Sequence, residues 1–391
     1  MHTLSDLISG ETELTQPKPR VLINASILDH KPSGLGRYSF EILRRLLEDS
    51  SIEYHVFTSM PELFKDREAK IIKISTFSRP SQGKLGGVAR YLSGILNREI
   101  RKSQFDLIYS PTHHGLNLPA KQIITVHDLL PLKFRKTFSQ EGIAYYYYKK
   151  ILPNHLNMSK KIITPSENTK KDIVDNFKIK SEKILVVPCG MEPARTVGLL
   201  EKKEFAERFG ISEEYILSVG TTSYPYKNSE RLIRAFHIAG LSKKYMLIFC
   251  GGRKQYIQTL KKLSINLGLK ERVIFLDYIN SAELDSLYRH ASLFIYPSLY
   301  EGFGLPPLEA MAFGCPVVCS NISSLPEVCG DGAFYVDPMD TEAIAQGMVK
   351  VIDDEILKNE LKKRAIIRAS RFSWEKAASN LLSTFREVLS E

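Results

Sequence analysis

The chain has 391 residues, of which 43% are hydrophobic, 10% aromatic and 25% charged. That balance excludes wholesale disorder, a collagen-like fibre and a disulfide scaffold, and it leaves room for two or three globular domains. The net charge of +10 is uneven: residues 1–200 hold 30 Lys+Arg against 20 Asp+Glu, whereas residues 201–391 hold 24 of each. A basic first half suits a nucleic acid, an anionic membrane or a phosphorylated substrate, or is a plain solvated surface.

Residues 1–19 lack the basic start and apolar stretch of a secretory signal and read as a loose polar tail. Val21–Asn24 reads as a first strand, followed by a glycine-containing loop and a helix over 37–49. Further strands are predicted at Tyr54–Thr58, Ile71–Ile74, Leu107–Tyr109, Ile123–Val126, Ile162–Thr164 and Ile184–Val187. Short β-branched runs separated by helical or loop sequence are the pattern of a parallel sheet buried on both faces. The stretch Pro188–Gly210, with Gly190, Pro193 and Gly198, reads as a linker. The pattern then restarts with strands at Tyr215–Val219, Met246–Cys250, Val273–Leu276, Leu293–Tyr296 and Pro316–Cys319. Helices are predicted over 229–239, 255–267, 305–313 and 341–353, with a last one over 373–391 capped by Ser373.

The expected fold is therefore α/β, with two Rossmann-like parallel-sheet domains, 20–195 and 196–372, facing a central cleft. Ligands of such sheets bind at the carboxyl ends of the strands, so a site shared between the units is expected. No run of about 18 apolar residues is present to span a bilayer. The five cysteines, at 189, 250, 315, 319 and 329, form no C-x-x-C pair, no zinc spacing includes them, and they read as buried free thiols.

Four segments carry chemistry. In Tyr296-Pro-Ser-Leu-Tyr-Glu-Gly-Phe-Gly-Leu-Pro-Pro-Leu-Glu309, a strand runs through a glycine loop into a helix start, with Glu301 and Glu309 eight apart. Prolines suit the first helical turn, and the N–H groups there favour an anion. The segment Ser218-Val-Gly-Thr-Thr-Ser-Tyr-Pro-Tyr-Lys-Asn228 places Lys227 before a helix, where it can neutralise a diphosphate. Thr125-Val-His-Asp128 puts His127 at a strand's carboxyl end, facing the cleft. Ser33-Gly-Leu-Gly-Arg37 offers backbone N–H groups to a phosphate or an acceptor. It fails as a dinucleotide fingerprint, because Ser39 stands at the third glycine position. The run Tyr145–Lys150 (YYYYKK) reads as partial core packing with a basic outer face.

The 296–309 segment, with Gly314-Cys-Pro-Val-Val-Cys-Ser and Ser324-Leu-Pro-Glu-Val-Cys-Gly downstream, resembles the E-x7-E motif of retaining glycosyltransferase family 4, whose members have the GT-B architecture. The resemblance runs from Val21 to the last helix, which it implies crosses back onto the first domain. It places Glu301 beside a donor sugar and Glu309 on the ribose of a nucleotide. It puts Gly302 and the amides of Phe303 and Gly304 at the sugar hydroxyls and Leu305 near the phosphate. Gly220, Thr221, Thr222 and Lys227 line the diphosphate. The Arg that many members carry after the glycine is Thr221 here, and Arg253 stands as a candidate substitute. The base is read near Leu276–Ile279, including Tyr278. His127 touches the donor sugar, while Asp128 and the Ser33, Gly34, Leu35, Gly36 loop face the acceptor side.

The implied reaction is transfer of a hexosyl group with retained configuration, assigned to Glu301, His127 and Lys227, with no cofactor and no metal. UDP-hexose, glucose first, is the leading donor and GDP-mannose the alternative. The partners implied are that nucleotide sugar and a glycan or lipid-diphosphate-linked acceptor, in polysaccharide or lipopolysaccharide synthesis. A cytoplasmic enzyme, peripheral on an anionic membrane and binding no nucleic acid, completes the expectation. A nucleotide-sugar epimerase or a nonenzymatic sugar-nucleotide binder is the competing class.

Overall fold

A computed structural model describes residues 17–30, 34–82, 87, 89, 90, 92, 97–138, 142–194, 198–211, 213–277 and 279–391. Most of the 1–19 tail, Ser33 and Tyr278 lie outside the described residues. The first sheet contains β1 (Arg20–Asn24), β2 (Glu53–Thr58), β3 (Ala69–Lys73), β4 (Leu107–Ser110), β5 (Lys121–Thr125), β6 (Lys161–Thr164) and β7 (Ile184–Val186). Their order is β3-β2-β1-β4-β5-β6-β7. The second contains β8 (Glu214–Thr222), β9 (Tyr245–Gly252), β10 (Val273–Leu276), β11 (Leu293–Tyr296), β12 (Val317–Ser320) and β13 (Ala333–Val336), in the order β10-β9-β8-β11-β12-β13. Every pairing is parallel.

The helices that shape the cleft and its flanks are α1 (Gly34–Leu46), α2 (Glu167–Phe177), α3 (Lys202–Phe209), α4 (Ser229–Ile238), α5 (Ser281–His290), α6 (Leu305–Ala312), α7 (Leu325–Cys329), α8 (Glu355–Ala369) and α9 (Trp374–Ser390). Strand order reverses between β1 and β4 in one sheet and between β8 and β11 in the other. The carboxyl ends at those two reversals open the crevice where α/β sheets bind ligands.

Three expectations need correction. The first helix begins at Gly34 rather than Arg37, so the Gly-Leu-Gly segment is its first turn and not a loop. A Cβ at Gly34 would meet nothing within 4 Å, and the buried stripe of Tyr38, Ile42, Leu43 and Leu46 anchors the helix on the sheet. The 188–210 linker contains α3, which buries Phe205 against the second unit. Both β13 and α8 escape periodicity. The first is only four residues long. The second carries scattered apolar residues, with Ile356, Ile366 and Ile367 exposed.

Helix α9 lies on the first unit. Phe385 meets Tyr109 of β4 at 5.2 Å between ring centroids, and Trp374 meets Tyr38 of α1 at 5.9 Å. Arg386 pairs with Asp49 and Glu387 with Lys161. Two chain segments therefore run between the units, and they touch: Met191 bridges Ser373, and a Cβ at Gly190 would fall 2.2 Å from the Trp374 nitrogen. All five cysteines are buried and free. Among the described residues no helix is long and apolar enough to cross a membrane.

Candidate active site

The second unit supplies one wall. Strand β8 ends at Gly220-Thr-Thr222, with Gly220 at φ +70°. A tight turn through Pro225–Lys227 follows, then Asn228 in the left-handed region, held by its side chain to the Pro297 and Pro338 carbonyls. That geometry turns the chain so that Lys227 points at the loop after β11. Its ammonium lies 2.6 Å from Glu301 Oε1 and 3.0 Å from the Tyr296 hydroxyl. Both charged side chains are shielded, at 14% and 10% exposure. Burial works against the Lys227 charge, but Glu301 outweighs it, and the ammonium is held on the high side of its usual range.

The Glu301–Leu305 loop is pinned from below. Ser323 Oγ accepts the Glu301 N–H at 3.0 Å, and Ser324 Oγ reaches the Glu301 and Phe303 carbonyls at 3.0 and 2.7 Å. Phe303 is itself buried and packs on Phe372. Gly304 adopts φ +113°, a conformation that disfavours a side chain, and then α6 starts at Leu305. Glu309 sits in that helix, with Oε2 accepting from Tyr288 of α5 at 2.8 Å and Oε1 paired to Arg37 of α1, across the cleft.

The first unit supplies the other wall. His127 follows β5, is buried, and lies edge-on to Tyr38 at 4.4 Å. Its Nε2 is 2.9 Å from the Pro111 carbonyl, which can only accept, so Nε2 carries the proton. Burial lowers the imidazole to about 4 against the pull of that carbonyl, so the ring is neutral near pH 7. Asp128 accepts the Leu130 N–H at 3.0 Å. Burial raises its carboxyl to about 6, opposed by that N–H and reinforced by Glu301.

This shift makes a prediction. The folded carboxyl keeps its proton to about pH 6, and the unfolded one loses it near 3.8, so stability falls as pH rises through that window. An Asp128→Asn variant escapes the loss. Its Tm should exceed that of the native chain by about 3 °C at pH 7 and converge with it at pH 4. Thermal scans across that range check it; a gap that does not change with pH refutes the assignment.

The structure brings together Lys227, Glu301, Gly302, Glu309, His127 and Asp128, and places Gly34, Leu35 and Gly36 in the first turn of α1. Thr221 is buried, with its hydroxyl 3.0 Å from Ser218 Oγ, and Thr222 bonds to the Gly251 carbonyl; both hold the β8 end in shape. Arg253 lies over the Tyr224 ring at 3.9 Å and bonds to its hydroxyl, on an exposed part of the turn. The sequence marks no role for Arg37, although it directly follows the glycine pair. Tyr296 opens the 296–309 segment without a role assigned to it, and no local pattern marks Tyr288. Among the described residues no three His, Cys, Asp or Glu side chains converge as a metal site.

Residues 32–195 match the model of Glycosyltransferase Family 4, and residues 201–368 match that of Glycosyl transferases group 1. O-antigen chain mannosyltransferase RfbU of Salmonella typhimurium is 30% identical over 85% of this chain and 91% of its own. O-antigen chain mannosyltransferase B of Escherichia coli is 28% identical over 94% and 99%. Among solved structures, Anabaena HepE in complex with UDP and glucose superposes with a TM-score of 0.72 at 19% identity, over 94% of this chain and all of that one. Sucrose-phosphate synthase from Thermosynechococcus elongatus reaches 0.73 at 19%, over 96% and 100%. Two parallel-sheet units with a shared cleft are the GT-B architecture. The chain belongs to the group 1 glycosyltransferases of family 4.

Proposed function

We propose that this glycosyltransferase moves a mannosyl group from a nucleotide sugar to a growing O-antigen-type glycan, with the donor's anomeric configuration retained. The observation that carries the reading is the shielded Lys227–Glu301 pair in the cleft, with Glu309 eight residues on in the same wall. The relatives that match along most of their length and carry mannosyltransferase names support mannose, and hence GDP-mannose, over the UDP-glucose expected first.

In this reading Glu309 accepts from the ribose hydroxyls, and Lys227 neutralises the diphosphate as the glycosidic bond breaks toward it. Glu301 orients the ammonium and balances charge on the oxocarbenium-like sugar. The acceptor hydroxyl attacks from the departing side and gives its proton to the leaving phosphate. Neutral His127 lines the sugar pocket without carrying charge into it. The basic first unit suits an anionic, lipid-diphosphate-linked acceptor at the cytoplasmic membrane face. Tyr148 is buried there, while Tyr146, Lys149 and Lys150 are exposed, offering an aromatic and basic surface to such a membrane.

Calorimetric titration with GDP and UDP tests the donor. GDP should bind at least about tenfold tighter, and Glu309→Ala should weaken that binding by about tenfold to 100-fold, the worth of a hydrogen bond to a charged group. Equal affinity for the two, or preference for UDP, overturns the mannose assignment.

A further inference from the structure

The two walls of the cleft are joined by contacts that the donor chemistry does not use. The carbonyl of Gly302, next to Glu301, accepts from Ser166 Oγ at 2.7 Å and lies 3.2 Å from Thr169 Oγ1. Both hydroxyls belong to the start of α2, on the opposite unit. Thr169 Oγ1 is also 3.2 Å from the His127 carbonyl, so one turn of helix ties the sugar-side histidine to the glutamate loop. Ser166 is the N-cap, accepting the Thr169 N–H at 3.1 Å. The next two N–H groups of that turn, at Glu167 and Asn168, would lack intrahelical partners. They donate instead to the two carboxylate oxygens of Glu327 on α7, at 2.8 and 3.3 Å. A carboxylate from one unit thus completes the N-terminus of a helix in the other, where the helix dipole favours it.

Glu327 is tied to the reacting loop through its own element. Ser324, immediately before α7, holds the Glu301 and Phe303 carbonyls, and Arg368 of α8 anchors the far end through the Val328 carbonyl at 2.9 Å. One residue to the other side, Tyr300 donates to Asp172 of α2 at 2.5 Å, and Lys133 reaches Asp172 at 2.7 Å while sitting over the Tyr300 ring.

We infer that the first turn of α2, through Ser166 and Thr169, and Glu327 of α7 form an interdomain clamp that closes the cleft and sets Glu301 in register with His127. These are positioning residues: they touch the loop that carries Glu301, and no substrate atom. The inference rests on the glycosyltransferase reading for its kinetic consequence and not for its structural one. Donor binding uses the second unit, so loosening the clamp should spare nucleotide affinity and slow the step that needs both walls.

The test uses the full chain in two variants, Glu327→Gln and the double Ser166→Ala/Thr169→Val. Small-angle scattering of the ligand-free protein should show a larger radius of gyration in both. With nucleotide sugar, kcat should fall about tenfold or more while the GDP or UDP dissociation constant moves less than about threefold. Unchanged scattering and kcat in both variants overturns the clamp. So does a kcat loss that merely tracks a fall in Tm, because a purely structural role predicts that parallel. If Glu327→Gln fails to fold, the double variant alone decides. A native chain that transfers no sugar from any nucleotide donor refutes the functional reading, and the scattering still decides the clamp.

Discussion

Lys227→Met and Glu301→Gln should each reduce kcat by about 100- to 1000-fold, the range for removing one charged group aimed at a developing charge. Their stability effects should go another way. The two side chains form a shielded pair 2.6 Å apart, with exposures of 14% and 10%. Removing one partner leaves the other desolvated and uncompensated, which costs about 3–5 kcal/mol for a fully buried pair and less at this exposure. Glu301→Gln strands the ammonium, with the Tyr296 hydroxyl at 3.0 Å as its remaining hydrogen-bond partner and the Tyr226 ring beside it. The double variant removes both charges and should recover most of the lost Tm, while its activity stays as low as that of either single change. Thermal melts and initial rates on the four proteins check this. A double variant as unstable as the singles shows that packing, not charge, holds the pair. Single variants with native rates would move the chemistry away from this loop.

Much of this site is legible in the sequence because its parts are local. The Glu301-Gly-Phe-Gly loop, the following Leu-Pro-Pro helix start and Lys227 before α4 each combine a backbone requirement with a charged side chain inside a dozen residues. Local backbone chemistry shows in local composition. What the sequence hid is what two distant segments make together. Arg37 reaches Glu309, Ser166 reaches Gly302, and Glu167 N–H reaches Glu327, over separations of more than a hundred residues. No periodicity encodes such pairs. The same reason explains the fold errors. The start of α1 is decided by how Tyr38, Ile42 and Leu46 pack on the sheet, and α3 is fixed by burying Phe205, so tertiary contacts override the glycine signals that suggested loops.

Arg37 also bears on the missing cation. By the family resemblance an Arg is expected where Thr221 stands, and the buried Thr221 hydroxyl faces Ser218. The guanidinium of Arg37 comes from the opposite unit and rests on the carboxylate read as the ribose acceptor. A ribose that takes Glu309 competes with Arg37, and the displaced cation lies on the wall facing the nucleotide.

Gly302→Ala should separate binding from transfer most sharply. Gly302 and Gly304 lie two apart in the same loop, and alanine fails at them for different reasons. At Gly304 the backbone is the obstacle: φ is +113°, and a Cβ would also lie 2.7 Å from Leu325 Cδ2 within the same unit. At Gly302 the obstacle is the other unit. A Cβ there would fall 1.9 Å from the His127 carbonyl oxygen and 2.9 Å from Asp128 Cβ. Backbone on the facing wall cannot yield as a flexible side chain can, so the units must part by an ångström or more. The second unit keeps its own contacts, and nucleotide affinity should stay within about threefold of native. Displacement on that scale at the reacting centre costs about 100-fold or more in rate, so kcat should fall at least that far. Gly304→Ala should instead weaken nucleotide binding and lower Tm, since its strain lies inside the donor loop. Nucleotide titration and initial rates on both variants decide the matter. If Gly302→Ala retains native kcat, the contact of His127 with the glutamate loop is not part of the reactive geometry, and the site must work with its walls further apart.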